Sequence, residues 1–191
     1  MRFPCATRHV VFFQRKEDAG RFHEEMISRL GKFGLEVEPT KTKVLAFGRF
    51  AAQNAKRCGG KAETFDFLGL THYCGVGRDG KRFRMKRVTS RKKFSAKLRI
   101  FKEWLMASRT LTTKAIWDGV ASRLRGHFNY YGVTDNTYGV GHFAFEVNRL
   151  LFKWLNRRGK RGCLTWVGFQ ALLAKFPLPK PRIMVNLFCF K

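Results

Sequence analysis

The first third of the chain combines short apolar runs with one helical period. Apolar side chains recur at steps of three and four between residues 17 and 33, which predicts an amphipathic helix. Gly34 is placed to end this helix, and the apolar runs 10–13 and 43–47 are typical of strands. The pattern therefore predicts a strand–helix–strand unit, followed by a polar loop over residues 48–63.

The middle of the chain predicts two strands joined by a turn. Residues 64–73 are rich in strand-forming side chains, and residues 81–88 alternate basic with apolar positions. Between them, residues 75–80 match the spacing GxGxxG. A dinucleotide-binding loop needs a helix to follow, because the helix N-terminus holds the pyrophosphate. Here a strand pattern follows, so we expect a hairpin turn.

From Thr89 onward the apolar period is helical, and it predicts three amphipathic helices and a shorter fourth one. Their apolar faces are Phe94, Leu98, Phe101 and Leu105; Ile116, Val120, Leu124 and Phe128; Phe143, Val147, Leu150, Leu151, Trp154 and Leu155; and Trp166, Phe169, Leu172, Leu173 and Phe176. A loop at residues 132–141 is expected before the third helix. The predicted fold class is α+β: a small strand–helix–strand and β-hairpin portion, then an all-α basic bundle, with the boundary near Val88.

The charge of the chain predicts an anionic partner. Its 191 residues carry a formal net charge of +26, which is distributed unevenly. Residues 1–66 hold 13 basic and 8 acidic side chains, whereas residues 67–191 hold 26 and 5. A nucleic acid fits this excess better than an acidic lipid surface. No apolar run approaches the roughly 20 residues that span a bilayer, and five scattered cysteines suit a reducing cytoplasm better than a disulfide framework.

Catalytic and metal-binding patterns are weak. Phosphoryl-transfer enzymes use paired carboxylates to hold metal ions, and the acids beyond residue 66 lie far apart in sequence. Cys58, His72 and Cys74 are too loosely spaced to predict a zinc site. The residues therefore predict neither a catalytic centre nor a bound metal.

Basic residues around the predicted helices are better candidates for contacts with RNA. Phosphates are bound by Arg and Lys, while exposed aromatic rings stack on unpaired bases. The cationic candidates are Arg91, Lys92, Lys93, Lys97, Arg125 and Arg149. Phe94, Phe101, Phe128 and Trp154 are expected in the core, and for Tyr130 and Tyr131 both a core role and an RNA contact stay open.

Four sequence blocks resemble, in order along the chain, blocks of the reverse transcriptases encoded by group II introns, which are mobile elements. The first resembles a Gly-Leu…Pro-x-Lys-Thr motif and uses Gly34, Leu35, Pro39, Lys41 and Thr42. The second is formed by Phe65, Phe67, Leu68 and Gly69. The third spans residues 125–131 and resembles the centre of the maturase-specific domain, and Leu164-Thr165-Trp166 resembles its tail. The resemblance covers about residues 9–185.

The resemblance implies a division of the chain and a function. It implies a C-terminal palm fragment at residues 1–74, a hairpin junction at 75–88, a thumb-like maturase-specific helical domain at 89–160, and a short helix with a Pro-containing tail at 161–191. Proteins of this family bind their intron RNA, assist its folding and splicing, and copy it into DNA. His127, Tyr130 and Tyr131 of the third block become candidate RNA contacts by this resemblance.

Residues 5–8 read Cys-Ala-Thr-Arg where the family has the metal-binding Tyr-Ala-Asp-Asp motif. The first interpretation is therefore a truncated RNA-binding maturase without polymerase activity of its own. A second is the thumb-side piece of a split RNA-directed DNA polymerase, in which an upstream fragment supplies the palm and Mg²⁺ binds only in the completed enzyme. A third is a non-functional gene remnant.

Overall fold

A computed structural model of the protein describes residues 3–4, 9–77, 80–157 and 164–188. The described residues are α+β and about 54% of them are helical, which confirms the predicted fold class at this level. The chain divides into two compact units, one formed by residues 1–67 with 72–86 and the other by residues 68–71 with 87–191. None of the described helices combines the length and the apolar character needed to cross a bilayer.

The N-terminal unit contains a two-stranded parallel pair and two helices. Strand β1 (Phe3–Pro4) pairs with β2 (Leu35–Glu36), and the helices are α1 (Lys16–Lys32) and α2 (Ala51–Arg57). Helix α1 confirms the predicted amphipathic helix. Gly34 directly follows its C-cap and has a φ of +71°, a backbone conformation that favours glycine.

Three expectations for this unit are wrong. Residues 10–13 and 43–47 form no strand, and α2 lies within the expected loop. Phe12 is 64% exposed rather than buried. An apolar run becomes a strand only where neighbouring strands complete its hydrogen bonds, and the described residues offer 10–13 and 43–47 no such ladder. Helix α2 forms because its sequence is composed largely of good helix formers.

A three-stranded antiparallel sheet follows, with strands β3 (Phe65–Phe67), β4 (Leu70–Val76) and β5 (Phe83–Thr89) in that order. The single strand predicted at 64–73 is two strands, because Leu68 and Gly69 both adopt positive φ and turn the chain. Between β4 and β5, the N–H of Gly77 donates to the carbonyl of Arg82 over 2.8 Å. A strand rather than a helix follows the GxGxxG spacing, as predicted; residues 78–79 lie outside the described part.

The second unit is helical. It comprises α3 (Arg91–Ala107), a 3-10 turn at Ser108–Thr110, α4 (Thr113–Tyr131), α5 (Thr137–Asn156) and α6 (Trp166–Lys175). All four predicted helices are confirmed. Thr112 caps α4, and Thr165 caps α6, each accepting a hydrogen bond from a backbone N–H three residues later. Helix α5 starts five residues inside the loop that was expected at 132–141.

One apolar core holds these helices together. It confirms the predicted core positions Phe101, Phe128 and Trp154, and Phe94 packs against it. Among the described residues, its buried members are Phe101, Leu105, Ile116, Trp117, Val120, Leu124, Phe128, Tyr131, Val140, Phe143, Ala144, Val147, Leu151, Trp154 and Phe169. The helical unit therefore has the continuous core of a folded domain.

Asn136, which is completely buried, ties the ends of three helices to one another. Its Nδ2 donates to Thr89 Oγ1 and to the carbonyl of Tyr131, both over 2.8 Å, and its Oδ1 accepts from the N–H of Thr89 over 2.9 Å. Thr89 stands just before α3, Tyr131 ends α4, and Asn136 is the N-cap of α5. Every polar atom of this amide is therefore paired.

The segment after α6 returns to the connection between α4 and α5. Val133 forms a parallel bridge with Val185, and the N–H of Val185 donates to the carbonyl of Gly132 over 3.0 Å. Earlier in the same segment, the carbonyl of Phe176 accepts from Trp117 Nε1 over 2.9 Å. The α4–α5 connection thus depends on residues about 50 positions later in sequence.

We expect Asn136→Ala to lower the free energy of unfolding by about 3 kcal/mol, because it leaves the N–H and the hydroxyl of the buried Thr89 without their partner. It also removes one of the two hydrogen bonds to the carbonyl of Tyr131, which keeps the one from the N–H of Val133. Thermal unfolding of the full chain measures this loss. Asn129→Ala, on the exposed side of α4, is the matched control and should cost little. Equal effects of the two substitutions, or no cooperative transition in the parent, would contradict this account.

Candidate nucleic-acid interface

The first turn of α3 presents unbalanced positive charge. Arg91, Lys92 and Lys93 are all exposed there, and the turn contains no acidic residue. A helix N-terminus already carries partial positive charge and favours anions, so three cations at this place oppose helix formation. The one carboxylate of α3, Glu103, lies near its other end, 3.9 Å from Arg99 Nε. The beginning of α3 is therefore suited to bind an anion from outside the unit.

Two turns into α3, Lys97 lies against two tyrosines of α4. Its Nζ is 5.7 Å from the ring centre of Tyr130 and 5.0 Å from that of Tyr131, and the two rings lie 4.8 Å apart. Burial lowers the pKa of Lys97, and the charge of Lys93 lowers it further. Lys97 is thus a partly desolvated cation on an aromatic surface, where its charge acts more strongly than in water.

The two adjacent tyrosines have different environments. Tyr131 is buried, and this burial raises its pKa, with a smaller contribution from Tyr130. Tyr130 is 53% exposed. The ring of Tyr130 is therefore accessible to a partner, whereas Tyr131 belongs to the core. The sequence left both a core role and an RNA contact open for each tyrosine, and the structure gives them different positions.

The turn at Leu68–Gly69 supports this tyrosine pair. The hydroxyl of Tyr130 donates to the carbonyl of Leu68 over 3.0 Å. Gly69 has a φ of +77°, and a Cβ at this position would lie 2.9 Å from the hydroxyl oxygen of Tyr131. Its carbonyl accepts from the N–H of Ser90, the N-cap of α3. This half of the second sequence block thus positions α3 and the end of α4 next to each other.

His127 lies inside the core. It is 3% exposed, and its ring stacks on Phe143 with centres 3.6 Å apart and planes 8° apart. Neither ring nitrogen has a hydrogen-bond partner among the described residues. Burial lowers its pKa to about 3, and the charge of Lys97 contributes to the shift. His127 is therefore neutral at physiological pH.

The predicted RNA contacts of His127 and Tyr131 do not fit the structure, because both side chains are buried and cannot reach a ligand on the surface. The other candidates are accessible. Arg125 is exposed on α4. Arg149 is exposed on α5, and its Nη1 lies 3.1 Å from Glu146 Oε1, which neutralises part of its charge. Arg149 lines an open groove of about 540 Å³ with Phe152 and Trp166.

Trp104 and Arg123 form a further pair that the sequence patterns did not indicate. The Cζ of Arg123 lies 3.8 Å from the ring centre of Trp104, across the seam between α3 and α4. Gly119, one turn before Arg123, leaves space for the indole. In the sequence, this contact is indicated only by a glycine and an arginine four residues apart on one side of a helix. That spacing predicts a contact only when the helix that packs against it is already known.

The first sequence block lies in the N-terminal unit. Gly34 and Leu35 lead into β2, and Pro39, Lys41 and Thr42 lie in the turn that follows. The N–H groups of Lys41 and Thr42 donate to the carbonyl of Glu38 over 3.1 and 3.2 Å. Hydrogen bonds from Thr40 lower the pKa of the Glu38 carboxyl. The side chain of Lys41 is exposed.

Aromatic contacts organise the second block within the same unit. Phe65 stacks on the buried His72 with ring centres 4.8 Å apart, and Phe67 lies 6.5 Å from the same ring. Cys58 and Cys74 are free thiols. In the described ranges, no three His, Cys, Asp or Glu side chains come together as a metal site would require.

No known protein family, curated protein or solved structure matches this chain. The link to group II intron proteins therefore rests on the four sequence blocks. The description of the surface formed by α3 and α4 does not depend on that resemblance, because it uses only the charges and distances of its residues.

We expect the histidine in the core to make the protein sensitive to acid. The pKa of His127 in the folded chain, about 3, lies below the ordinary 6.5. Between these two values the unfolded chain binds a proton that the folded chain does not, so stability falls as the pH falls through this window. The contribution of His127 between pH 7.5 and 5 amounts to at most about 2 kcal/mol.

His127→Phe should flatten this pH dependence, because an apolar ring can stack on Phe143 without titrating. Denaturant unfolding at a series of pH values measures the effect. His9→Gln, which replaces an exposed histidine, should leave the dependence as in the parent. A His127→Phe curve parallel to that of the parent would show that this histidine does not set the acid limit.

Proposed function

We propose that this protein is an RNA-binding, group II intron maturase-like protein without polymerase activity of its own. The observation that carries the proposal is the unbalanced charge of the C-terminal two thirds of the sequence, where residues 67–191 hold 26 basic and 5 acidic side chains. Within this excess, the exposed cations at the start of α3 and the partly buried Lys97 are the residues that we propose to contact the RNA.

Binding of this kind is driven by the RNA backbone. Each phosphate neutralised by Lys or Arg releases condensed counterions, and double-stranded RNA is recognised mainly by its shape, its phosphates and its 2′-hydroxyls. Arg91, Lys92 and Lys93 can hold phosphates in this manner. The bound RNA would be stabilised in its folded form, and the splicing chemistry would belong to the intron RNA itself.

The identity of the RNA comes from the sequence resemblance. The third block overlaps the end of α4, where Tyr130 and the exposed Arg125 lie. The second block contributes the turn that holds Tyr130. That two blocks distant in sequence belong to one local arrangement supports a shared role in binding intron RNA.

Affinity for a structured intron transcript should fall steeply with salt, and replacing Arg91, Lys92 and Lys93 with Gln should reduce the slope of log K against log salt by about two to three units. Filter binding over a salt series measures both. A matched variant with Gln at Arg29, Lys32 and Lys43 removes the same charge from the N-terminal unit and should keep the slope. Binding that is insensitive to salt would refute the electrostatic mechanism.

The split-polymerase alternative is favoured by the N-terminal unit. Helix α1 has no buried residue, and its side chain Phe22 is 38% exposed. Phe33, just after the helix and three turns from Phe22 on the same side, is 72% exposed. Exposed aromatic side chains on one side of a helix mark a surface that another polypeptide covers. The occupant in this hypothesis is a reverse transcriptase fragment that carries the fingers and the remaining palm.

In this second hypothesis, mixing the chain with such a fragment should produce Mg²⁺-dependent primer extension that neither piece shows alone. Phe22→Glu should abolish the complementation, because it places a charge on the covered face, whereas Glu24→Gln, about 200° around α1 from Phe22, should not. An inactive mixture that contains both folded pieces would refute the split-polymerase hypothesis.

A further inference from the structure

Two cation–aromatic contacts lie in a row along the seam between α3 and α4. Lys97 of α3 contacts Tyr130 of α4, and Trp104 of α3 contacts Arg123 of α4. Each helix contributes residues seven positions apart, which is close to two helical turns, so both contacts lie on the same side of the seam and about 10 Å from each other. We call Lys97, Trp104, Arg123 and Tyr130 the seam strip.

The surface between the two contacts is open and partly apolar. Ile100 lies between Lys97 and Trp104 on the same side of α3, and it is 60% exposed. Gly126 lies between Arg123 and Tyr130 on α4, and a Cβ placed there would meet nothing within 4 Å. The strip therefore has an accessible centre with an apolar side chain on one side and no side chain on the other.

The Trp104–Arg123 contact is held in one geometry. The Cζ of Arg123 lies 3.8 Å from the indole centre, and its Nη1 donates to the carbonyl of Gly119 over 3.2 Å. A Cβ at Gly119 would lie only 2.5 Å from Trp104 Cζ2. The absence of a side chain at Gly119 is what allows the indole to lie against α4, beneath the guanidinium.

Arg123 has unused binding capacity. A guanidinium carries five N–H donors, and one described contact uses a donor of its Nη1. No carboxylate among the described residues forms an ion pair with it. Burial lowers the pKa of Arg123, so its charge is partly removed from water without an anionic partner. An anion supplied from outside would complete these contacts.

We propose that the seam strip binds unpaired nucleotides of the RNA. Bases stack on the exposed ring of Tyr130 and on the plane of the Arg123 guanidinium, while Lys97 and the remaining donors of Arg123 hold the phosphates between them. Bases inside a duplex are covered by their neighbours and cannot stack in this way, whereas unpaired bases can. This inference rests on the proposed RNA-binding function. In it, the seam strip binds unpaired regions of the RNA, and the cations at the start of α3 bind the paired regions.

The test compares two RNAs on the full chain. One is a short single-stranded RNA with a fluorescent 2-aminopurine base, and the other is a blunt hairpin duplex of equal charge. Arg123→Lys keeps the charge but loses the planar stacking group, and Gly119→Ala displaces Trp104 without changing any charge. Arg99→Lys on α3 and Gly141→Ala on α5 are the matched controls, because Arg99 is exposed and a Cβ at Gly141 meets nothing within 4 Å.

We expect Arg123→Lys and Gly119→Ala each to weaken binding of the single-stranded RNA about tenfold and to reduce the quenching of 2-aminopurine, with duplex affinity unchanged. Both control variants should behave as the parent does. Equal losses for the two RNAs, or an Arg123→Lys variant identical to the parent, would overturn the inference while leaving RNA binding intact. A parent chain that binds neither RNA at low salt would overturn the proposed function as well.

Discussion

The buried amide of Asn136 is the constraint on which the helical unit depends. A side chain with two donors and an acceptor is stable in an apolar core only when each of them is paired. Asn136 meets this condition with Thr89, the last residue of β5 just before α3, and with Tyr131, the last residue of α4. Because the amide tolerates little displacement, these ends keep fixed positions relative to α5.

The surface chemistry follows from this fixed arrangement. With the start of α3 beside the end of α4, Lys97 lies on Tyr130 and Tyr131, and Trp104 meets Arg123 two turns further along the seam. His127, which is buried and feels the charge of Lys97, stays neutral and so places no positive charge in the core. Lys97 and Arg123 are thus partly desolvated at the surface, where they attract phosphate more strongly than fully hydrated charges do.

The helices could be predicted because each one repeats its burial pattern locally, as Ile116, Val120, Leu124 and Phe128 do on α4. The structure of residues 10–13 and 43–47 could not be predicted in this way, because whether an apolar run forms a strand depends on partners distant in sequence. Tyr130 and Tyr131 are adjacent in sequence, and a rotation of about 100° per residue places one outside and the other inside. The Arg123 contact depends on how two helices face each other, so no local pattern indicates it.

The return of residues 182–187 to the α4–α5 connection has a consequence for biosynthesis. Val185 bonds to Gly132 across about 50 residues of chain, which a ribosome takes roughly 3 to 10 s to add. Helical hairpins form in microseconds to milliseconds, so α3 and α4 can fold long before that partner has been translated. A nascent chain could therefore engage RNA through α3 and α4 while its own synthesis continues.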